Sequence, residues 1–266
     1  MSYCVQTDAS SVPKISANDI EMAETPIAKG RFGKVYRAKW KNATVAIKVV
    51  KVKNDEDKKA TEQEVSITLR MKNKNVIKQF GITPLEIEKL GIVMEWAEHG
   101  SLDIWIGKTD RGELTNIALG IVSGLMYVHS QNVMHGDIKP RNILLSTRND
   151  KMCPKLSDFG LSKVLEQTMA HTARAATIAY MAPEVKWFIE PGFKADIFSL
   201  ARMLFEIFNE QLLSNSSREV QQCIGSGIIP ENCNVPMCLR NVVERGWNER
   251  PQERPSLSEF YSTLKG

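Results

Sequence analysis

The chain has 266 residues, 42% of them hydrophobic and 25% charged, enough for one large core with nothing over for a second folded module. Its net charge of +4 is too mild an excess to call for nucleic acid as a partner. No apolar run approaches the roughly 18 residues of a membrane-spanning helix, so no intrinsic membrane segment is expected.

Residues 1–14 are polar and patternless, and are expected to form a flexible lead-in. From Ile15 to Met94, short β-branched runs alternate with turns, and one polar, helix-favouring stretch, Lys58–Lys72, interrupts them. This region holds a glycine-punctuated segment, Ile27-Ala28-Lys29-Gly30-Arg31-Phe32-Gly33-Lys34-Val35, and a short strand ending on a lysine, Val45-Ala46-Ile47-Lys48. Its Lys51-Val52-Lys53 and Lys58-Lys59 clusters read as solvated loop and helix faces. Helical patterning takes over from Gly100. Ile117, Ile121, Leu125 and Val128 form one core stripe, and Ile197, Leu200, Leu204 and Ile207 another. The fold class is therefore α+β, with a small antiparallel sheet and one main helix over residues 15–94, a connector at 95–98, and a larger, mostly helical part over 99–266. Cys4, Cys153, Cys223, Cys233 and Cys238 lack zinc-like spacing, and their odd number argues against a disulfide framework. No basic-then-apolar leader opens the chain, and Ser2 rather than glycine follows Met1. A reduced, cytoplasmic protein is expected.

The chemistry-bearing residues concentrate in His135-Gly136-Asp137-Ile138-Lys139-Pro140-Arg141-Asn142 and Asp158-Phe159-Gly160. Phosphoryl transfer needs an oriented hydroxyl, metal ions to neutralise phosphate charge, and a cation following the transferred group. Asp137 is suited to accept a hydroxyl proton, Asn142 and Asp158 offer hard oxygen ligands, and Lys139 is placed to meet a phosphate. Taken singly, each element has a plainer explanation. A lone Asp-Phe-Gly is more often a turn, a glycine pair is a hairpin, and a lysine at a strand end snorkels at the surface. Their order and spacing decide otherwise. Lys48 precedes Glu64, a helix residue suited to pair with it (Glu62 competes), and Ala182-Pro183-Glu184 closes the segment that Asp158-Phe159-Gly160 opens.

In this order the motifs resemble those of eukaryotic protein kinase catalytic domains, over roughly Ile15 to Leu264. The resemblance implies a bilobal protein-kinase-like fold and an ATP-dependent transferase acting on protein substrates with Mg²⁺, or Mn²⁺ in its place. It assigns Asp137 as the base, Lys139 as charge neutraliser, Lys48 to the α- and β-phosphates with Glu64 as its partner, and Asn142 and Asp158 to the metal. Nucleotide binding falls to the Ile27, Ala28, Lys29, Gly30, Arg31, Phe32 and Gly33 loop, to Val35, Ala46 and Leu144 around adenine, and to backbone of Glu95 and Ala97, with Met94 as gatekeeper. Lys139 and Thr177 resemble the serine/threonine-directed pattern, while Trp40 and Gly246-Trp247 resemble the tyrosine-kinase-like group. Glu184 and Arg254 are implied to form a buried ion pair, and Asp196 to anchor the catalytic loop. Three departures stand out. Ala28 replaces the first loop glycine, Thr68 a large apolar residue, and Gly136 the arginine that pairs with an activation-segment phosphate. Activity is thus expected not to need that arginine clamp, with Ser162, Thr168 and Thr172 as phosphosite candidates. The same departures motivate a competing reading as a nucleotide-binding pseudokinase scaffold. A small-molecule phosphotransferase fits worse, because Ala182-Pro183-Glu184 resembles peptide-docking apparatus.

Overall fold

A computed structural model describes residues 12–30, 33–159, 180–186, 192–212 and 227–266. The chain divides into two units, residues 1–72 with 76–98 and residues 73–75 with 99–266.

The first unit is an antiparallel sheet with one helix. Strands β1 (Ile20–Met22), β3 (Gly33–Trp40), β4 (Ala43–Lys51), β6 (Lys89–Glu95) and β5 (Gln79–Pro84) lie in that order, with β2 (Ala28–Gly30) paired to β3. Ala38, Val45, Ile47 and Val93 form its core with Ile15, and the Trp40 and Phe80 rings close over it with centroids 5.4 Å apart. Lys41 and Asn42, at φ 48° and 61°, make the two-residue turn whose twist matches that of the β3–β4 hairpin.

Helix α1 (Asp55–Arg70) starts three residues before the expected Lys58 and ends two before Lys72. Asn54 Oδ1 accepts a hydrogen bond from Asp57 N at 2.8 Å, and Asp55, Glu56 and Asp57 sit in the first turn, where acids favour the positive helix end. The lead-in also differs from expectation. Residues 1–11 lie outside the described residues, but Val12–Lys14 do not run free. Ile15 N donates to Ile82 O at 2.8 Å and Ile82 N to Pro13 O at 2.9 Å, so this segment lines the edge of β5. Val12 and Ile15 are each only 7% exposed, and their burial offsets the cost of ordering the segment.

In the second unit, Asp110 caps α2 (Arg111–Ser130) by accepting from Glu113 N at 3.0 Å. The Ile117, Ile121, Leu125, Val128 stripe is fully buried, against the β7 (Ile143–Arg148) and β8 (Lys151–Leu156) hairpin and the helices α4 (Phe193–Asn209) and α6 (Leu257–Lys265). Short α3 (Pro183–Lys186) precedes α4, whose Ile197, Leu200, Leu204 and Ile207 are buried as expected, and α5 (Met237–Gly246) packs on α4. The α+β class with a sheet unit and a helical unit thus holds. Among the described residues, no helix is long and apolar enough to cross a membrane.

Candidate active site

The catalytic-loop candidates are held by one carboxylate. Asp196, on the first turn of α4 and 1% exposed, accepts from Gly136 N through Oδ1 and from His135 N through Oδ2, both at 2.8 Å. His129, at the end of α2, shares Asp196 Oδ2 at 2.8 Å. A loop with no secondary-structure partners is fixed this way by side-chain bonds to a core helix. Gly136 has φ 80°, a left-handed backbone that side chains rarely adopt.

His135 joins this loop to the Asp158 segment. Its ring is fully buried 4.6 Å from that of Phe159, Nδ1 accepts from Asp137 N at 3.3 Å, and Nε2 donates to Ser157 O at 3.1 Å. One acceptor and one donor make the neutral tautomer, and burial holds its pKa below the ordinary 6.5. The sign follows. The unfolded chain binds a proton here before the folded one does, so this stability is complete above pH 6.5 and falls away as the pH drops below it. The expected slope is up to about 1.4 kcal/mol per pH unit. Urea unfolding above and below that pH checks it, with a His135→Gln variant losing this part of the dependence.

Asp137 is 4% exposed, and its Oδ2 accepts from Lys139 Nζ at 2.6 Å and from Asn142 Nδ2 at 2.8 Å. Asn142 Nδ2 also donates to Asp137 O at 2.8 Å, which occupies both amide hydrogens and leaves Asn142 Oδ1 as the oxygen to offer a cation. Ser157 N and Oγ both reach Asn142 O at 2.9 Å, tying Asn142 to the residue before Asp158. Asp158 adopts φ 64°, a conformation its short polar side chain tolerates better than most. Among the described residues, no three of His, Cys, Asp and Glu gather into a metal cluster. Asn142 Oδ1 and the Asp158 carboxylate are hard oxygen donors, the kind that suits a divalent cation which keeps waters and takes phosphate oxygens.

The nucleotide-binding candidates lie in the first unit, apart from Leu144, which is half-buried on β7. Ala28 pairs with Val35, Lys29 with Lys34 and Gly30 with Gly33 in the β2–β3 hairpin, and Ile27 N donates to Val35 O at 2.8 Å. Arg31, Phe32, Gly160, Thr177 and the three phosphosite candidates lie outside the described residues. Lys48 is half-buried on β4 opposite Val35 and Ile92, Ala46 is buried opposite Met94, and Glu64 is half-buried on α1. Glu95 ends β6, its side chain accepting from Lys78 N at 2.7 Å, and Ala97 follows it. Thr68 is 1% exposed and donates to Glu64 O at 3.1 Å, so its polar atom is satisfied within the helix.

Gly33 has a role that glycine spacing does not reveal. Its φ is 139°, and a Cβ there would stand 2.0 Å from Val49 O. Gly33→Ala is therefore expected to destabilise by about 1–3 kcal/mol or more, measurable by urea unfolding.

Sequence reasoning missed His129, Ser157 and the Tyr180–Glu206 pair. Tyr180 OH donates to Glu206 at 2.6 Å, and burial together with that carboxylate pushes the phenol's pKa up, keeping it protonated. Ser199 Oγ donates to Tyr180 O at 2.8 Å, so Tyr180 is pinned to α4 twice. Neither partner stands in a local motif, so only three-dimensional proximity reveals them.

With this geometry in view, the chain belongs to the protein kinase domain family, whose pattern matches residues 23–263. It is similar to the serine/threonine-protein kinase STY46 of Arabidopsis thaliana, 30% identical over 98% of this chain and 46% of that protein. It is also similar to the RGS domain-containing serine/threonine-protein kinase A of Dictyostelium discoideum, 29% identical over 98% of this chain and 24% of that one. A putative mitogen-activated protein kinase kinase kinase 7-like protein of Drosophila melanogaster is 28% identical over 95% of this chain and 67% of its own length. The chain thus spans less than half the length of the first two relatives. Kinases of this family use ATP with a divalent cation.

Proposed function

We propose that this domain is a serine/threonine kinase, transferring the γ-phosphoryl group of MgATP to hydroxyls of protein substrates in cytoplasmic signalling. The observation that carries this reading is the Asp137 carboxylate. Both donated bonds fall on Oδ2, leaving Oδ1 to orient a hydroxyl and take its proton. The hydroxyl oxygen attacks the γ-phosphorus while the bond to the β–γ bridging oxygen breaks. The proton goes to Asp137 Oδ1, and ADP leaves with the electron pair. Lys139, already beside Asp137, is in place to follow the charge on the transferred group.

Mg²⁺, or Mn²⁺, supplies neutralisation of phosphate charge, and Asn142 Oδ1 and Asp158 would hold it. From the first unit, Lys48 would hold the α- and β-phosphates with Glu64 supporting it, and the Ile27–Val35 hairpin would cover them. Val35, Ala46 and Leu144 would flank adenine, with Glu95 O and Ala97 N as its hydrogen-bond partners. The relatives above are serine/threonine-protein kinases by name, which supports the hydroxyl class. The test is transfer from radiolabelled ATP with Mg²⁺, followed by phosphoamino-acid analysis. Label on serine or threonine is expected. ATP binding without any transfer would favour the scaffold reading that Gly136 and Ala28 motivate.

A further inference from the structure

A groove lies along the second unit, with a cavity of about 280 Å³ lined by the segment after α1, by α2, by the β7–β8 hairpin and by Tyr261 of α6. None of the catalytic candidates lines it. Its floor includes Leu119, Met152 and Pro154, and its rim carries three exposed cations, Lys74, Arg148 and Lys151. No acid lines it. The nearby Glu113 carboxylate accepts from Met152 N at 2.8 Å and keeps its negative charge. Set against Glu113 and the exposed Asp150 beside Lys151, the three rim cations leave a basic excess around a partly apolar trough.

The trough is firmly built. Asn75 Nδ2 donates to Pro154 O at 2.8 Å, which ties the segment after α1 to β8. Gly120 lets both approach α2, since a Cβ there would stand 2.5 Å from Pro154 Cγ and 3.0 Å from Asn75 Nδ2. Arg148 and Lys151 face one another across the left-handed Asn149–Asp150 turn, which fixes where both cations emerge.

The geometry points to a docking groove for an acidic, extended peptide segment of a partner protein, used apart from the phosphoryl-transfer residues. Charge complementarity selects the acid. An extended peptide turns alternate side chains to opposite faces, so apolar residues would fill the Leu119–Met152–Pro154 floor while acids meet the rim. A free phosphate fits less well. Phosphate sites gather backbone N–H groups around one point, whereas these cations are long side chains from two places, the segment after α1 and the β7–β8 hairpin.

The inference is tested by binding, which does not depend on the domain being an active kinase. The probe is a fluorescein-labelled peptide alternating glutamate with leucine, followed by anisotropy against the whole chain. Binding is expected to weaken at least about tenfold in a Lys74→Glu, Arg148→Glu, Lys151→Glu triple variant, and to weaken as salt rises. These residues are exposed, so the melting transition should not move. Leu119→Asp should also weaken binding, and phosphotransfer to a generic substrate should stay unchanged in the triple variant. Equal binding by the triple variant would overturn the inference. So would a glutamate–serine peptide or inorganic phosphate binding as tightly as the glutamate–leucine probe, since either would reduce the groove to a non-selective cationic patch.

Discussion

Asp137→Asn is expected to lower turnover roughly 10²–10⁴-fold while nucleotide binding persists. The geometry leaves the asparagine no good arrangement. With its oxygen toward Lys139 Nζ and Asn142 Nδ2, as Asp137 Oδ2 is now, its amide faces the incoming hydroxyl and cannot take a proton. Turned the other way, the amide meets two donors at distances of 2.6 and 2.8 Å. Single-turnover transfer from radiolabelled ATP and a separate nucleotide titration distinguish the outcomes. A fall in rate with unchanged nucleotide affinity supports the base assignment, and unchanged turnover overturns it. Asp158→Asn should differ, because the proposed metal ligand is weakened and metal-dependent nucleotide binding should fall together with rate.

The candidate catalytic loop stands out in the sequence because its chemistry-bearing residues are compressed into a short stretch, where residue type and spacing carry the signal. The two helical stripes were legible for the same reason, since their period repeats within one element. What escaped depends on distant partners. His129 is defined by Asp196, 67 residues away, and Tyr180 by Glu206, 26 residues away. Val12–Lys14 show no strand period, yet the open edge of β5 orders them. The early start of α1 escaped because its first turn is acidic and has no apolar residue to reveal a period. Its signals are the Asn54 cap and the charge series after it. In the sequence Gly33 signals close phosphate approach, and the structure adds a steric demand from Val49 that no glycine-loop pattern contains.

Arg254→Ala is expected to cost about 3–5 kcal/mol of stability. The side chain is fully buried, and its two terminal nitrogens meet Glu184 Oε1 and Oε2 at 2.6 and 2.8 Å. It also donates to Lys194 O at 2.9 Å and Asn248 O at 2.8 Å, and lies 5.1 Å from the centre of the Phe198 ring. Truncation therefore strands a carboxylate that is 8% exposed and the backbone acceptors Lys194 O, Asn248 O and Glu249 O, besides opening a cavity. Lysine should rescue little, because one ammonium cannot reproduce the planar fork. Glu184→Ala should cost a comparable amount by leaving the guanidinium unpaired in the same place. Replacing both with leucine removes both stranded charges, so the double variant should lose clearly less than the sum of the two alanine losses. Urea unfolding of all these variants settles the matter. Alanine losses that simply add in an Arg254→Ala, Glu184→Ala double variant would show that each side chain acts through its own packing and backbone bonds, and would remove the ion pair from the account. A double loss well below that sum would mean the cost lies in the unpaired charge. The pair would then act as one fastener joining α3 to the chain just before α6.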